Sequence, residues 1–376
     1  MTKIWISIIF ITSNIYAQDS NINIADSLYV NGNYSKAIVA YKKHNNQAVV
    51  LEKIAKAFIA LGNYDAALLH FKESIKANPN NGLLKYEYAK LLARTKHYKE
   101  ASLLFEDLVY KDYNNPNYHY ELGVVLAHLK DSSAVNRFRT AFNLDSTHQK
   151  AIYKIAKYNL VKRKHEIVET YVNIGLKTYE RNIELINIKA LNYYYMHDYL
   201  NAAKWFEKLI ELGESSEFIH EKLSLCFERE YEYEKALIHR KKVLKFNPMD
   251  ATSMYVIGTY YQKLEDYVNA EKYINQALLL LDVPIDDEYQ KLGTVLNHQK
   301  KHKEAIIAFQ KAIKENPENI SSHFFLVLTK DKYYKDVAAR IVLFEDFIEK
   351  FPDSPYAQFA RMRLIEIKEA QFLKQD

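Results

Sequence analysis

The sequence predicts an all-α protein in which helical hairpins stack into one long array. The pattern aromatic-x-x-small, followed four residues later by a large residue, recurs along the chain, and neighbouring small residues are mostly 34 residues apart. The 376 residues include only 8 glycines and 7 prolines, fewer than the many turns of an all-β chain require. Six of these prolines fall between the repeated segments, where a helix has to stop.

The first segment, residues 1–17, is predicted to be a secretory signal peptide. Lys3 precedes an apolar run from Ile4 to Ile11, and a polar stretch then ends at Ala17. The run is far shorter than the ~20 apolar residues that span a bilayer. We expect cleavage near Ala17 and an exported protein, periplasmic or secreted, with no integral membrane segment in the mature chain. The alternative is that the segment is retained as an anchor.

Residues 18–351 are predicted to form repeats of two antiparallel helices, a first helix A and a second helix B. Small residues on both helices let helix A and helix B approach closely. On helix A these residues are Gly123, Gly258 and Gly293. Large residues on helix B are expected to fill the space between successive repeats. The first repeat, about residues 18–47, is degenerate. The small residues on helix B are Ala37, Ala67, Ala101, Ala134, Val168, Ala202, Ala236, Ala270 and Ala305, and the large ones include Phe71, Phe105, Phe206 and Phe309.

Three short motifs accompany this period. They are pairs such as Leu122-Gly123, turns such as Gly62-Asn63-Tyr64, and closing pairs such as Asn247-Pro248. With these motifs the chain resembles the tetratricopeptide repeat (TPR) family, and within it the exported bacterial TPR-array proteins. The resemblance implies an α-solenoid of about ten helix-turn-helix units, forming a right-handed superhelix whose concave groove is lined by A helices.

Residues 352–376 are predicted to form a C-terminal capping helix and tail. Ser354 is expected to be the N-cap and Pro355 the first helical residue, because serine accepts a bond from the first turn and proline tolerates that position. The outer face of a terminal helix has to meet water, so we expect it to be charged. The charged residues assigned to this face are Arg361, Arg363, Glu366, Lys368 and Glu369.

Catalytic motifs are absent from the sequence, so we predict a protein that is not an enzyme and that needs no cofactor and no metal. The glycines are too scattered for a phosphate-binding loop. Cys226 fits a buried apolar residue better than a nucleophile. His298 and His302 have a zinc-compatible spacing, but His302 occupies a slot that holds tyrosine in other repeats. The net charge of +5 is too small for a nucleic-acid partner.

The resemblance to TPR proteins implies which residues face the concave groove. We expect this groove to be basic and aromatic, and to bind an extended partner such as an acidic peptide or an anionic glycan. The predicted groove residues are Lys56, Tyr86, Lys90, Arg94, Tyr120, His128, Tyr153, Lys157, Tyr194, Tyr195 and Tyr255.

Two functions are compatible with this groove. The first is a non-enzymatic scaffold of the bacterial envelope that binds another protein. The alternative is a glycan- or cell-wall-associated module in polysaccharide export or envelope assembly. Tyrosine is abundant throughout the chain, however, so composition alone could also place it in the groove.

Overall fold

The structure, a computed structural model, describes residues 22–281 and 285–372, so the predicted signal peptide lies outside the described residues. Within these ranges the chain forms 21 α-helices and no strand. The helices are α1 (22–30), α2 (Tyr34–Lys42), α3 (Gln47–Ala60), α4 (Tyr64–Ala77), α5 (Gly82–Arg94), α6 (Tyr98–Lys111), α7 (Pro116–His128), α8 (Ala134–Leu144), α9 (Gln149–Val161), α10 (His165–Thr178), α11 (Ile183–Tyr195), α12 (Tyr199–Glu211), α13 (Glu217–Arg229), α14 (Tyr233–Phe246), α15 (Ala251–Lys263), α16 (Tyr267–Leu278), α17 (Asp286–His298), α18 (His302–Glu315), α19 (Ile320–Tyr333), α20 (Val337–Lys350) and α21 (Ala357–Phe372).

These helices form ten successive hairpins, with odd-numbered A helices and even-numbered B helices, and α21 follows the last hairpin. The predicted all-α solenoid class and the count of about ten repeats are therefore confirmed. The chain divides after Ile188 into two compact halves. A search of the described helices for one long and apolar enough to cross a membrane finds none.

The turn between helix A and helix B has the same backbone in most hairpins. In the second hairpin the N–H groups of Gly62 and Asn63 donate to the carbonyls of Ile59 and Phe58, each at 2.9 Å, which closes the helix with a left-handed residue. Gly32 and Gly62 supply the positive φ angle that this turn requires. Seven further turns place a non-glycine residue there, and Lys96, with φ of 67°, is one of them.

In the N-terminal half the predicted small positions are sites of close helix approach. Ala67 and Ala101 are completely buried. A Cβ atom added to Gly123 would lie 2.7 Å from the ring of Phe138, which belongs to the B helix of the same hairpin. The repeat in which Val168 replaces the small residue carries Gly175 on helix α10 instead, where a Cβ atom would collide with Leu185. The sequence analysis missed Gly175 because it lies outside the repeated position.

In the C-terminal half the same packing rule holds. Gly258 lies against Ile274, and Gly293 lies against Phe309 of its own hairpin. Phe309 also stacks on Phe325 of the next A helix, with ring centroids 6.0 Å apart. The large B-helix residues therefore fill the space within a repeat as well as the space between repeats.

A histidine pair, His220 buried and His239 half-buried, joins helices α13 and α14 in the C-terminal half. The Nδ1 atoms of His220 and His239 are 3.0 Å apart, and Ser215 Oγ lies 2.9 Å from the Nε2 atom of His220. Phe227 stacks on the ring of His239. Burial, followed by the neighbouring His220 and Lys242, lowers the pKa of His239 to about 4.

The capping helix α21 departs from two expectations. It begins at Ala357 rather than just after Ser354, and the buried Ser354 hydroxyl has no hydrogen-bond partner, because residues 354–357 form a turn closed by the Ala357 N–H and the Ser354 carbonyl. The outer face also carries the exposed apolar side chains of Phe359, Met362 and Ile365 beside the predicted charges.

Two arginines hold α21 against the last hairpin. The Asp331 carboxylate on helix α19 is buried and accepts bonds from the Nε atoms of Arg340, at 2.6 Å, and of Arg363, at 3.0 Å. Arg340 belongs to α20 and Arg363 to α21, so one carboxylate ties three helices together.

Candidate functional site: a cleft between three A helices

In the N-terminal half a cleft of about 460 Å³ lies between the A helices α3, α5 and α7. Its apolar floor is formed by Ile59, Leu91 and Val124, one from each helix. Its charged and polar lining comes from Glu87, Lys90, Arg94, Tyr98, Glu121 and His128. Three predicted groove residues, Lys90, Arg94 and His128, therefore line the same cleft.

The two cations of the cleft are one helical turn apart on α5, as the spacing predicts. The Lys90 ammonium lies 5.1 Å from the centroid of the Tyr86 ring and 3.8 Å from the Glu87 carboxylate. Arg94 donates from Nη2 to the Tyr64 hydroxyl at 2.7 Å. Lys90 is held loosely by partners at its own helix surface, whereas Arg94 is positioned by the neighbouring B helix.

Glu121 is a charged cleft residue that the sequence did not predict. Burial raises the pKa of this carboxyl group, although Lys90 and Lys150 favour its ionised form and Tyr86 donates a hydrogen bond to it. Burial is also the main cause that raises the pKa of Tyr86, and the nearby Glu121 and Glu87 carboxylates raise it further. With Glu87 beside Glu121, the cleft combines two acids with two bases and is not simply basic.

The aromatic groove residues of this half are mostly packed rather than open. Tyr86 meets Phe105 edge-on at 6.1 Å between ring centroids, so it supports the cleft from beneath. Tyr120 packs 5.8 Å from Phe138 outside the cleft lining, and burial raises its pKa to about 12. The ring of His128 stacks on Tyr98, with centroids 4.5 Å apart.

The remaining predicted residues of this half lie outside the cleft lining. Lys56 pairs with Glu52 one turn earlier on α3, at 2.6 Å. Lys157 donates to the Tyr153 hydroxyl at 3.3 Å, and its ammonium lies 5.5 Å from the centroid of that ring. These groups satisfy one another within a single helix.

In the C-terminal half, three predicted groove tyrosines lie on two A helices. The Tyr194 ring packs edge-on against Tyr195, at 5.6 Å, and lies under the Lys222 ammonium, at 4.8 Å. Tyr255 lies farther along this half, on α15, where burial and the acids Glu288 and Asp287 raise its pKa to about 12.

The residues considered for catalysis or metal binding, namely Cys226, His298 and His302, are engaged in packing and hydrogen bonds within the fold. Cys226 is completely buried, and burial raises the pKa of its thiol to about 12, which disfavours the reactive thiolate. His298 stacks on Tyr267 with ring centroids 4.5 Å apart, while His302 Nδ1 lies 3.0 Å from the Asn297 side-chain oxygen. The two histidines therefore have separate packing and hydrogen-bond partners.

This architecture, successive A/B hairpins with small residues at the helix crossings, defines an α-solenoid. A family model described as tetratricopeptide repeat matches residues 58–121, and a second model of the same description matches residues 251–280 and 289–319. The matched segments are thus tetratricopeptide repeats.

One solved structure supports this fold, and others resemble parts of the chain less closely. The C-terminal part of a TPR repeat-containing protein from Cytophaga hutchinsonii is 17% identical, with a TM-score of 0.52 over 64% of this chain and 99% of that chain. Yeast Tom70 is 14% identical over 96% of this chain and 97% of that chain, with a TM-score of 0.39. MamA from Desulfovibrio magneticus RS-1 is 20% identical over 44% of this chain and 96% of that chain, also with a TM-score of 0.39. The search of curated proteins returned no match.

Proposed function

We propose that this protein is a non-enzymatic scaffold, exported to the bacterial envelope, whose cleft between α3, α5 and α7 binds an extended segment of a protein partner. TPR proteins generally mediate protein–protein interaction and generally are not catalysts. The observation that carries the proposal is the convergence of Lys90, Arg94 and His128 on one cleft that also has an apolar floor.

The cleft chemistry suggests what such a segment contains. An acidic side chain can lie between Lys90 and Arg94, and an apolar neighbour can cover Ile59, Leu91 and Val124. The carboxylates of Glu87 and Glu121 would repel a segment with several consecutive acidic residues. We therefore propose an acidic residue followed closely by an apolar one, rather than a polyacidic peptide.

A photo-crosslinking residue placed at Ala93, on the cleft wall, tests the partner class in intact cells. Ala93 is preferable to Tyr86, because Tyr86 packs against Phe105 and its replacement would disturb the fold. The control is the same residue at Leu103, which is exposed on the B helix α6. Capture of one protein from Ala93 and not from Leu103 supports the scaffold; equal capture from both sites argues against the cleft.

Charge reversal then tests the two cations. Lys90→Glu with Arg94→Glu should weaken the captured partner at least about tenfold, because each lost charge-assisted contact is worth roughly 1–3 kcal/mol. Lys72→Glu with Lys76→Glu, on the B helix α4 of the same half, is the matched control and should leave binding unchanged. Binding that survives the cleft reversal would move the site elsewhere.

The glycan alternative and the compartment have their own tests. The ammonium groups of Lys90, Lys157 and Lys222 lie over the rings of Tyr86, Tyr153 and Tyr194, which limits the open ring faces available for stacking on sugars. Retention of the purified protein on isolated cell wall would favour the glycan function instead.

Export predicts that the protein in the envelope fraction begins at Gln18. A protein recovered from the cytosol with Met1 still present would contradict export.

A further inference from the structure

A second concave site lies in the C-terminal half, where the B helices α16 and α18 flank the A helix α17. It is a cavity of about 230 Å³, and it shares no lining residue with the cleft between α3, α5 and α7. Its apolar floor is formed by Leu292, Leu296 and Ala308. The cavity is open to solvent, and Ile307 on its rim is 49% exposed.

In the preceding hairpin, α15 and α16, an aromatic pair occupies the equivalent space. Thirty-five residues separate Tyr261 from its equivalent Leu296. The same step leads from Tyr273 to Ala308. The rings of Tyr261 and Tyr273 stack with their centroids 5.6 Å apart. In α17 and α18 these two rings are replaced by a leucine and an alanine, and the cavity lies where the rings would be.

A stacked pair at these two positions recurs in the array. In α13 and α14 it consists of Phe227 and His239, with ring centroids 5.6 Å apart. In α3 and α4 it consists of Phe58 and His70, with centroids 5.5 Å apart. From α4 to α16 the B-helix position equivalent to Ala308 always holds a side chain larger than alanine, so the reduction at α18 is a local one. The residues at this position are His70, Leu104, Arg137, Tyr171, Trp205, His239 and Tyr273.

The polar lining of the cavity fits a ring that carries a hydroxyl group. In the filled hairpin, Lys241 of α14 donates to the Tyr261 hydroxyl at 2.5 Å. Lys241 lies five residues after Ala236, and the residue five after Ala270 on the next B helix is Asn275. Asn275 lines the cavity. Because an asparagine side chain both donates and accepts hydrogen bonds, it can bond a phenol hydroxyl there.

The volume of the cavity suits one aromatic ring. A cavity of about 150 Å³ is large enough to bind benzene, whereas pockets for drug-sized ligands measure about 300–1,000 Å³. The open rim lets the chain that carries the ring remain in solvent. We propose that this cavity, named here the ring site, is a docking site for the phenol ring of a tyrosine presented by a protein partner. The ring site is independent of the cleft between α3, α5 and α7.

Titration of the full protein with p-cresol, the side-chain analogue of tyrosine, tests the ring site. The ring current of bound p-cresol should shift the methyl NMR signals of Leu296 and Ile307, with a Kd of about 1 mM, as expected for so small a ligand. Methyl signals of α5 and α6 should not move. Unmoved signals of Leu296 and Ile307 at about 20 mM p-cresol would overturn the proposal.

Filling the site is the second test. Leu296→Tyr with Ala308→Tyr rebuilds the pair of the preceding hairpin and should weaken p-cresol binding at least about tenfold, because the new rings occupy its space. Gln310→Tyr, at an exposed residue of the same helix, is the matched control and should leave the Kd unchanged. Tyr261→Leu with Tyr273→Ala makes the opposite change and should create p-cresol binding between α14, α15 and α16. Full binding by the filled variant, or no new site in the emptied one, would contradict the proposal.

N-acetyltyrosinamide decides whether the ring can arrive on a polypeptide. It carries the same phenol between two backbone amides, so its Kd should lie within about threefold of that of p-cresol if the backbone stays outside the rim. N-acetylleucinamide should bind at least about tenfold more weakly, since it has no ring to fill the space. Binding of p-cresol without N-acetyltyrosinamide would assign the site to a free aromatic compound and overturn the tyrosine assignment. Equal binding of the leucine derivative would overturn the aromatic one.

Discussion

The substitution Gly258→Ala tests whether close helix approach, rather than helix propensity, governs the repeat. Alanine is the better helix former by about 1 kcal/mol, so propensity alone predicts stabilisation. The structure predicts the opposite. The added Cβ atom would lie 2.6 Å from Ile274 Cγ1 and 3.2 Å from both the Ala270 carbonyl oxygen and the Ile274 amide nitrogen.

The size of the effect follows from these distances. Ile274 is completely buried and cannot rotate away, and the two backbone atoms require α15 and α16 to separate. Overpacking of this kind costs about 1–3 kcal/mol, so after the propensity gain we expect a net loss of about 1 kcal/mol. Part of the strain is relieved by a small shift between the two helices, which is why the expected loss is not larger.

Native-state amide hydrogen exchange is the suitable assay, because stability in a repeat array is local. The free energy of opening should fall in α15 and α16 and change little in α5 and α6. Gly82→Ala is the matched control, since a Cβ atom there meets nothing closer than 3.8 Å. The control should be neutral or slightly stabilising. Gly258→Ala at or above parental stability would refute the packing argument.

Three further predictions concern the left-handed turns, the histidine pair and the ion pairs of Asp331. Lys96→Gly should stabilise the N-terminal half by about 1 kcal/mol in urea unfolding, because it relieves a left-handed lysine; a loss of stability would contradict this. His239 is held neutral by the fold, so stability should fall as the pH drops from 6.5 towards 4, by on the order of 2 kcal/mol, and His239→Asn should flatten this dependence in urea melts at pH 7 and pH 5. Asp331→Asn should lower the opening free energy of α21 by about 2 kcal/mol in hydrogen exchange, with α5 as the unaffected reference. Unchanged protection would mean that the ion pairs of Asp331 do not hold α21 in place.

Most of the fold could be predicted from the sequence because packing enforces its period. Ala67, Ala101, Gly258 and Gly293 recur where helices cross, and each is a position at which a larger side chain has no space. The start of α21 could not be predicted in the same way. Ser-Pro is typical of a helix start, but residues 354–357 form a turn in which Tyr356 stacks on Phe324 of α19, a tertiary contact that local propensity does not record.

The candidate site was predicted less completely because charges are not fixed by packing. Lys90 and Arg94 were found because their spacing of four places them on one face. Glu87 and Glu121 were not predicted, because the expected groove was basic and aromatic and both residues are acids. The aromatic residues were found, but their ring faces were taken as open, whereas contacts such as Tyr86 with Phe105 hold them in the packed layer.

The repeat itself offers a signal that would have found both acids. The residue two positions before the small A-helix residue is Lys53 in α3, Glu87 in α5, Glu121 in α7 and Lys154 in α9. In these four helices packing does not determine this position, since it accepts either charge. A change of sign that is confined to two consecutive A helices is therefore best explained by what those helices face, and both acids line the same cleft. In a repeat protein the residues that recur in every repeat identify the scaffold. A binding site is identified by recurring positions at which neighbouring repeats carry different residues.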